Sequence, residues 1–298
     1  VTEGRGYADP SAFRRALTDR LKALAAEGRW SLEQLQRQIA YDRLLERLYL
    51  VDDGWVVKGA TALLARDLGM RATIDVDVYR AAASETAEAD LRQATGRDIG
   101  DWFRFEIGPA RIIGEEQTGV RLPVAAYVGV TAWAEFHVDL VGADLRMTGA
   151  PEAVPPMARL VIPDVEQHGY LAYPLCDHVA DKVVATFQQY GPRLQPSTRY
   201  KDLIDLVAIV VGAELDAKST RHALVSEAAR RNVDLPSRFD VPDRDLWERG
   251  YAAEARRSML PVAATIDDAL AIVQPCLDPL LSATAAGTWR HDARRWVT

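Results

Sequence analysis

Lys58 to Tyr79 reads KGATALLARDLGMRATIDVDVY. Thr73 to Tyr79 alternates between apolar and polar residues, the mark of a half-buried strand. Side chains two apart on a strand share a face. Asp75 and Asp77 therefore stand side by side, while Ile74, Val76 and Val78 turn toward the core. Two carboxylates held this close repel, and burial worsens the conflict. A divalent cation removes it, and paired carboxylate oxygens suit Mg²⁺ or Mn²⁺. Upstream, Trp55-Val56-Val57 reads as a short buried strand and Lys58-Gly59-Ala60-Thr61 as a tight turn into a short helix through Leu63, Leu64 and Leu68. Backbone N–H groups at a helix start bind anions. Gly59 lets the backbone approach a phosphate closely, Thr61 offers a hydroxyl, and Arg66 and Arg71 lie between the turn and the Asp pair.

Working outward, a polar helix is expected over 84–97, then strands over Phe103–Ile107, Val120–Val128 and Glu135–Val141. Pro123 marks the middle strand as an edge strand or the site of a bulge. In the last strand, Asp139 shares a face with His137 and opposes Val138 and Leu140. An acidic residue inside Val-Asp-Leu-Val is unusual for a plain core strand. Three carboxylates on adjacent strands can hold two metals, one lowering the pKa of an attacking hydroxyl and the other clamping a triphosphate.

The flanks are helical. Residues 10–49 form two helices, the first started by Pro10 and Ser11 and ended at Gly28. The second opens with Ser31 and Gln34 in a capping-box arrangement. After Pro163, helices are expected over Pro174–Tyr190, Tyr200–Val211, 217–231, 243–257 and 266–280. The expected fold class is α/β in the α+β sense: a small mixed-sheet core with N-terminal helices over 1–165, then a helical domain over 166–298 that completes the active-site cleft.

The chain of 298 residues carries a formal net charge of −7 with 48% hydrophobic residues. That composition supports a sizeable core and excludes a protein coated in basic surface, though not a local basic groove. Cys176 and Cys276 cannot make a structural zinc site alone, and read as free thiols rather than a disulfide. No apolar signal segment and no membrane span is visible, so the reading is a soluble cytoplasmic protein.

The run from Lys58 to Tyr79 resembles the first motif of the AbiEii toxin family, within the polymerase-β-like nucleotidyltransferase superfamily. That motif has a Gly-Gly or Gly-Ser turn, a helix, then T-x-D-x-D. Ala60 stands where a second small residue is usual. It keeps the volume small without the hydroxyl of Ser. Asp139 matches the superfamily's third carboxylate. Leu175-Cys176-Asp177-His178-Val179-Ala180-Asp181-Lys182 resembles the family's Lys-bearing helix. Arg199-Tyr200-Lys201-Asp202-Leu203-Ile204-Asp205-Leu206 resembles its closing R-x-K-D-x-x-D-L motif. Size and layout look like the MenT-type toxins of toxin–antitoxin systems. The resemblance implies transfer of NMP, a pyrimidine nucleotide, from an NTP to the 3′ acceptor end of tRNA, which blocks aminoacylation, and a cognate antitoxin. It assigns metal to Asp75, Asp77 and Asp139, and makes Asp139 the group that assists the attacking hydroxyl. Lys182, with Lys58, Gly59, Ala60, Thr61 and Arg71, would hold the nucleotide, and Asp202 or Asp205 would support the site. On this reading Lys182→Ala loses transfer with little change in melting temperature.

Other readings keep the fold and change the task. The acceptor could be a protein or a small-molecule hydroxyl, or the fold could be a non-catalytic nucleotide-binding module. The joint presence of Asp75, Asp77, Asp139 and Lys182 counts against the last. Taken singly, a D-x-D on a strand is often a solvated sheet face, and residues 199–206 could be a charged helix edge. Arg256, Arg257 and the Arg290–Arg295 segment beside Trp289 and Trp296 could grip RNA, or form a solvated helix end and a chain terminus.

Overall fold

A computed structural model describes residues 6–68, 71–113, 119–142, 147–163, 165–258 and 263–298. The chain divides into two compact units: Val1–Arg66, Thr73–Leu145 and Ala153–Ala172 in the first, and Asp67–Ala72, Arg146–Glu152 and Tyr173–Thr298 in the second.

The first unit opens with α1 (Pro10–Ala26) and α2 (Leu32–Tyr49). Asp9 caps α1 by accepting from Ala12 N–H at 2.7 Å, with Pro10 set in the first turn. The capping box of Ser31 and Gln34 forms as expected. These devices supply partners for the donors that a helix start leaves over. The sheet contains β1 (Trp55–Val57), β2 (Asp75–Arg80), β3 (Phe103–Ile107), β4 (Arg111–Ile113), β5 (Gly119–Val128), β6 (Thr131–Val141), β7 (Glu152–Val154) and β8 (Tyr170–Ala172). Their order is β3-β5-β6-β2-β1-β8-β7, with β4 also on β5. Helix α3 (Gly59–Ala65) joins β1 to β2, and α4 (Ser84–Thr95) follows β2.

The sheet is larger than the small one expected, because β4, β7 and β8 are too short to show a period. Strand β8 pairs with β1 through Val57 and Ala172. That pairing keeps the chain in the first unit as far as Ala172, beyond the expected boundary at 165. Strand β5 is not an edge strand, since β3 and β6 flank it. The Pro123 carbonyl accepts from Gly108 N–H at 2.8 Å, just past the end of β3. A residue's N and O point to the same side of an antiparallel strand, so the missing N–H falls where β3 has stopped. An irregularity does occur in β5, between Ala126 and Tyr127. Ile74 does not turn inward: it precedes β2 and is 50% exposed.

Helix α2 buries a charged stripe that the apolar spacing does not announce. Asp101 receives Arg43 Nε at 2.7 Å and Arg47 through both terminal nitrogens, at 2.9 and 2.7 Å. Burial alone would raise the Asp101 pKa, but Arg47 and Arg43 outweigh it and hold the carboxyl below its usual range. Asp42 accepts from the N–H groups of Met157 and Ala158, each at 2.9 Å, and from the Tyr170 hydroxyl. Here burial wins and its pKa rises to about 6.

The second unit holds α5 (Leu175–Phe187), α6 (Tyr200–Gly212), α7 (Ala217–Arg231), α8 (Arg244–Arg257) and α9 (Ile266–Leu281), at the spacings the sequence implies. It also carries a small sheet absent from that reading, β11-β10-β9, from β9 (Leu215–Asp216), β10 (Thr288–Arg290) and β11 (Arg295–Val297). The hairpin settles the two tryptophans. Trp289 is fully buried and donates to the Val210 carbonyl, and Trp296 donates to the Cys276 carbonyl. Trp289 is thereby a core anchor, whereas Trp296 is half-buried with its indole N–H already engaged. Both cysteines are free thiols, Cys276 buried and Cys176 half-buried. Among the described residues, no helix is long and apolar enough to cross a membrane.

Candidate active site

Strand register builds the first cluster. β2 runs parallel to β6, with Asp75 opposite His137 and Asp77 opposite Asp139. β5 runs antiparallel to β6, with Pro123 opposite His137 and Arg121 opposite Asp139. One sheet face therefore carries two transverse rows, Arg121–Asp139–Asp77 and Pro123–His137–Asp75. Val76, Val78, Val138 and Leu140 alternate to the other face and are fully buried, which pins the register.

Gly59 closes the first row. Lys58 N–H donates to the Asp77 carbonyl at 2.8 Å. Gly59 has φ +56°, and a Cβ there would lie 1.9 Å from Asp77 Oδ2. Backbone and carboxylate thus meet at a distance only glycine permits. Gly59→Ala is expected to push the Asp77 carboxylate aside and cut nucleotide transfer about a hundredfold, the scale of an ångström misplacement at a reacting centre. Initial rates with saturating NTP check this; wild-type turnover would show that the close approach has no part in the chemistry.

The sequence reading missed Arg121. Its guanidinium forms a two-pronged pair with Asp139, Nε to Oδ1 at 2.7 Å and Nη2 to Oδ2 at 2.6 Å, and Nη2 lies 3.5 Å from Asp75 Oδ1. The Asp139 hydrogen bonds, reinforced by the charges of Asp139, Asp75 and Asp77, push the Arg121 pKa up. Nothing in the sequence spacing marks this arginine, because its partner lies across a strand pair. Asp75 Oδ1 is buried and has no hydrogen-bond partner, and His137 Nδ1, 3.4 Å away, also has none.

These observations test the fit of a divalent cation. Among the described residues, no three acidic, histidine or cysteine side chains converge as a metal-ligand set. Arg121 engages both oxygens of Asp139. The pair Asp75 and Asp77 does fit: hard oxygen donors on one face, one of them an orphaned buried oxygen. Mg²⁺ commonly takes one or two protein carboxylates and completes its shell with water and substrate phosphate.

Of the residues around the turn, Thr61 departs from expectation. It is fully buried and its hydroxyl donates to the Asp75 carbonyl at 3.1 Å. It ties α3 to β2. Ala60 is buried beside it, while Lys58, at the cap of α3, is half-buried.

The second cluster lies within the second unit. Lys182 on α5 is 6% exposed, which excludes a snorkelling surface lysine. Its ammonium donates to Asp202 Oδ1 at 2.9 Å and Asp205 Oδ2 at 2.7 Å. The two aspartates are one turn apart on α6 and face the same lysine, as i, i+3 spacing allows. Arg71 forks its Nε and Nη2 onto Asp205 at 3.0 and 2.9 Å. Arg199 pairs with Asp202. Burial opposes all of these charges, and mutual attraction overrides it. The Lys182 pKa is raised by the two aspartates. Burial would lift Asp205, but Lys182 and then Arg71 hold it down at about 2. Both Asp202 and Asp205 belong to the cluster.

The first unit thus presents a carboxylate pair beside a glycine turn on a mixed sheet, and the second a Lys–Asp cluster on two helices. The profile of the family described as nucleotidyl transferase AbiEii toxin, type IV toxin–antitoxin system, matches residues 43–272. The chain belongs to that family. Membership brings NTP as substrate and an antitoxin as partner. Among solved structures, the chain is similar to MenT4, a nucleotidyltransferase toxin of Mycobacterium tuberculosis H37Rv. The TM-score is 0.51 and the identity 18%, over 87% of this chain and 99% of that one. JHP933 of Helicobacter pylori gives TM-score 0.47 and 16% identity, over 83% and 92%. A search of curated protein sequences returns no match.

Proposed function

We propose that this chain transfers a nucleoside monophosphate, with preference for a pyrimidine, from an NTP to the 3′-terminal hydroxyl of tRNA and so blocks aminoacylation. The observation that carries the phosphoryl-transfer part is the row Arg121–Asp139–Asp77 closed by Gly59, beside the orphaned oxygen of Asp75. The tRNA acceptor and the base preference rest on the family resemblance.

In the reaction, the acceptor oxygen forms a bond to the α-phosphorus. The bond from that phosphorus to the bridging oxygen breaks, pyrophosphate leaves with the electron pair, and the hydroxyl proton is released. Asp75 and Asp77 would hold Mg²⁺ or Mn²⁺, which would supply charge neutralisation for the phosphates and a lowered pKa for the attacking hydroxyl. Gly59 admits a phosphate against the backbone. The family resemblance gives Asp139 the task of steering the attacking hydroxyl, and Arg121 holds both of its oxygens while lying 3.5 Å from Asp75 Oδ1. The family resemblance also gives Lys182 to the nucleotide; in the second unit its ammonium is held by Asp202 and Asp205.

Arg121 also competes for the carboxylates as a cation of its own. Arg121→Gln is expected to tighten Mn²⁺ binding about tenfold, since a neighbouring charge is worth one to three pK units at such a site. Titration calorimetry without nucleotide reads this directly; unchanged or weaker Mn²⁺ binding would remove Arg121 from the site's electrostatics. The function itself is tested by incubating the protein with total RNA, Mg²⁺ and each labelled NTP in turn. The expected product is a labelled band of tRNA size. Label in protein, or in small molecules, would assign a different acceptor.

A further inference from the structure

Strand β2 starts at Asp75, so β6 from Thr131 to Phe136 runs on without a β2 neighbour. The step holds a cavity of about 550 Å³, within the first unit, lined in part by Arg37, Ile74, Glu106, Pro123, Glu135 and His137. The volume is in the range that holds a small ligand. It begins where the second row of the carboxylate face ends, because His137 belongs to both.

Two polar atoms of its lining are buried without a hydrogen-bond partner, Arg37 Nε and His137 Nδ1; His137 Nδ1 lies 3.4 Å from Asp75 Oδ1, and Arg37 pairs through Nη1 with Glu33. Buried polar atoms are normally satisfied. Two such atoms on one cavity, Arg37 Nε and His137 Nδ1, point to a polar ligand. Its composition is mixed: Ile74 presents an exposed apolar side chain and Pro123 a ring, while Glu106 and Glu135 are exposed carboxylates. Glu106 is already bound by Arg104 and by the Tyr127 hydroxyl.

Direction decides what the ligand is. In displacement at phosphorus, the attacking and leaving oxygens lie roughly in line on opposite sides. If the triphosphate sits at the Gly59 turn, as the transfer reading above assumes, it occupies the β1 end of the row. The attacking oxygen then arrives from the β6 and β5 side, where the cavity lies. We propose that this cavity is the acceptor subsite and takes the 3′-terminal nucleoside of an RNA whose base bears an exocyclic amine. Ile74 and the Pro123 ring cover the base, and Glu135 accepts from the amine. Arg37 Nε–H and His137 Nδ1 engage the ribose hydroxyls, which brings the diol next to Asp75. A simple serine or threonine hydroxyl would fill none of this.

The test uses the full chain without NTP, so that no turnover occurs. Binding of fluorescent hairpin RNAs ending in A or in U is read by anisotropy, and binding of a non-hydrolysable NTP with Mg²⁺ by calorimetry. Wild type is expected to bind the A-ended hairpin several-fold tighter. Ile74→Asn, at an exposed position, is expected to weaken RNA binding about tenfold through lost apolar contact. Glu135→Gln is expected to erase the A-over-U preference. Both variants keep wild-type NTP affinity. The proposal is overturned if wild type shows no end preference, if both variants bind RNA as wild type does, or if they lose NTP affinity instead, which would make the cavity the nucleotide's. Failure of the transfer reading shows separately, as no labelled RNA from the wild-type protein with any NTP. Labelled RNA together with unaffected cavity variants would overturn the acceptor subsite alone.

Discussion

Asp75→Asn is expected to lower nucleotide transfer by about three orders of magnitude, since a bound cation contributes several kcal/mol of charge stabilisation, while the melting temperature stays at or above that of wild type. The asymmetry follows from the geometry. Asp75 and Asp77 share a face, Asp77 faces Asp139 in register, and Asp75 Oδ1 is buried without a hydrogen-bond partner. Repulsion among the carboxylates costs stability, and Arg121, 3.5 Å from Asp75 Oδ1 but forked onto Asp139, offsets part of it, so a neutral amide of the same shape relieves repulsion as it removes a ligand. Initial rates at saturating NTP and Mg²⁺, with a thermal melt of the same preparation, check both halves. Wild-type activity in the variant would end the assignment of Asp75, and a large fall in melting temperature would make it a structural residue.

Lys182→Ala is expected to destabilise the protein by about 3–5 kcal/mol, the cost of breaking a buried ion pair by removing one partner, with a fall in melting temperature on the order of 10 °C. This replaces the sequence expectation of a silent effect on stability. That expectation had the lysine reaching the nucleotide, whereas it is 6% exposed and sits between two buried carboxylates. Lys182→Arg is expected to recover only part, because a planar fork cannot take the place of a compact ammonium. Combining Lys182→Ala with Asp202→Asn and Asp205→Asn removes the unpaired charges and is expected to restore stability without restoring NTP affinity. Recovery of NTP affinity in that triple variant would show the cluster to be structural only.

The same cluster sets an acid limit. Asp205 is held at about 2, below the ordinary carboxylate value. Its stabilising contribution is therefore complete above roughly pH 4, the unfolded-state range, and is lost as pH falls toward 2. Removing Lys182 lets the carboxylates rise, so the acid unfolding midpoint of Lys182→Ala moves to higher pH, as circular dichroism against pH would read.

How much of this is legible without coordinates depends on the range of the interaction. The Asp75–Asp77 pair announces itself, because strand alternation is local. The spacing of Asp202 and Asp205 likewise puts both on one helix face, and long helices such as α6 and α9 carry their own periodicity. Arg121 is silent because its significance is a register fact: it meets Asp139 only after β5 and β6 pair. Arg43, Arg47 and Asp42 are silent for the same reason, their partners lying far along the chain between Arg97 and Tyr170. The β9–β10–β11 sheet is invisible because strands of two or three residues have no period to read. Ile74 misleads because alternation continues one residue past the point where pairing in β2 begins.

The most direct test is the intact mass of purified tRNA after incubation with NTP and Mg²⁺, comparing wild type with Asp75→Asn, and unmodified tRNA with tRNA whose 3′-terminal diol has been oxidised by periodate. The account predicts a mass gain of one or more nucleoside monophosphates for wild type on unmodified tRNA, and none in the other three combinations. A gain on the oxidised tRNA, an equal gain with Asp75→Asn, or no gain on any tRNA with any of the four NTPs would contradict it.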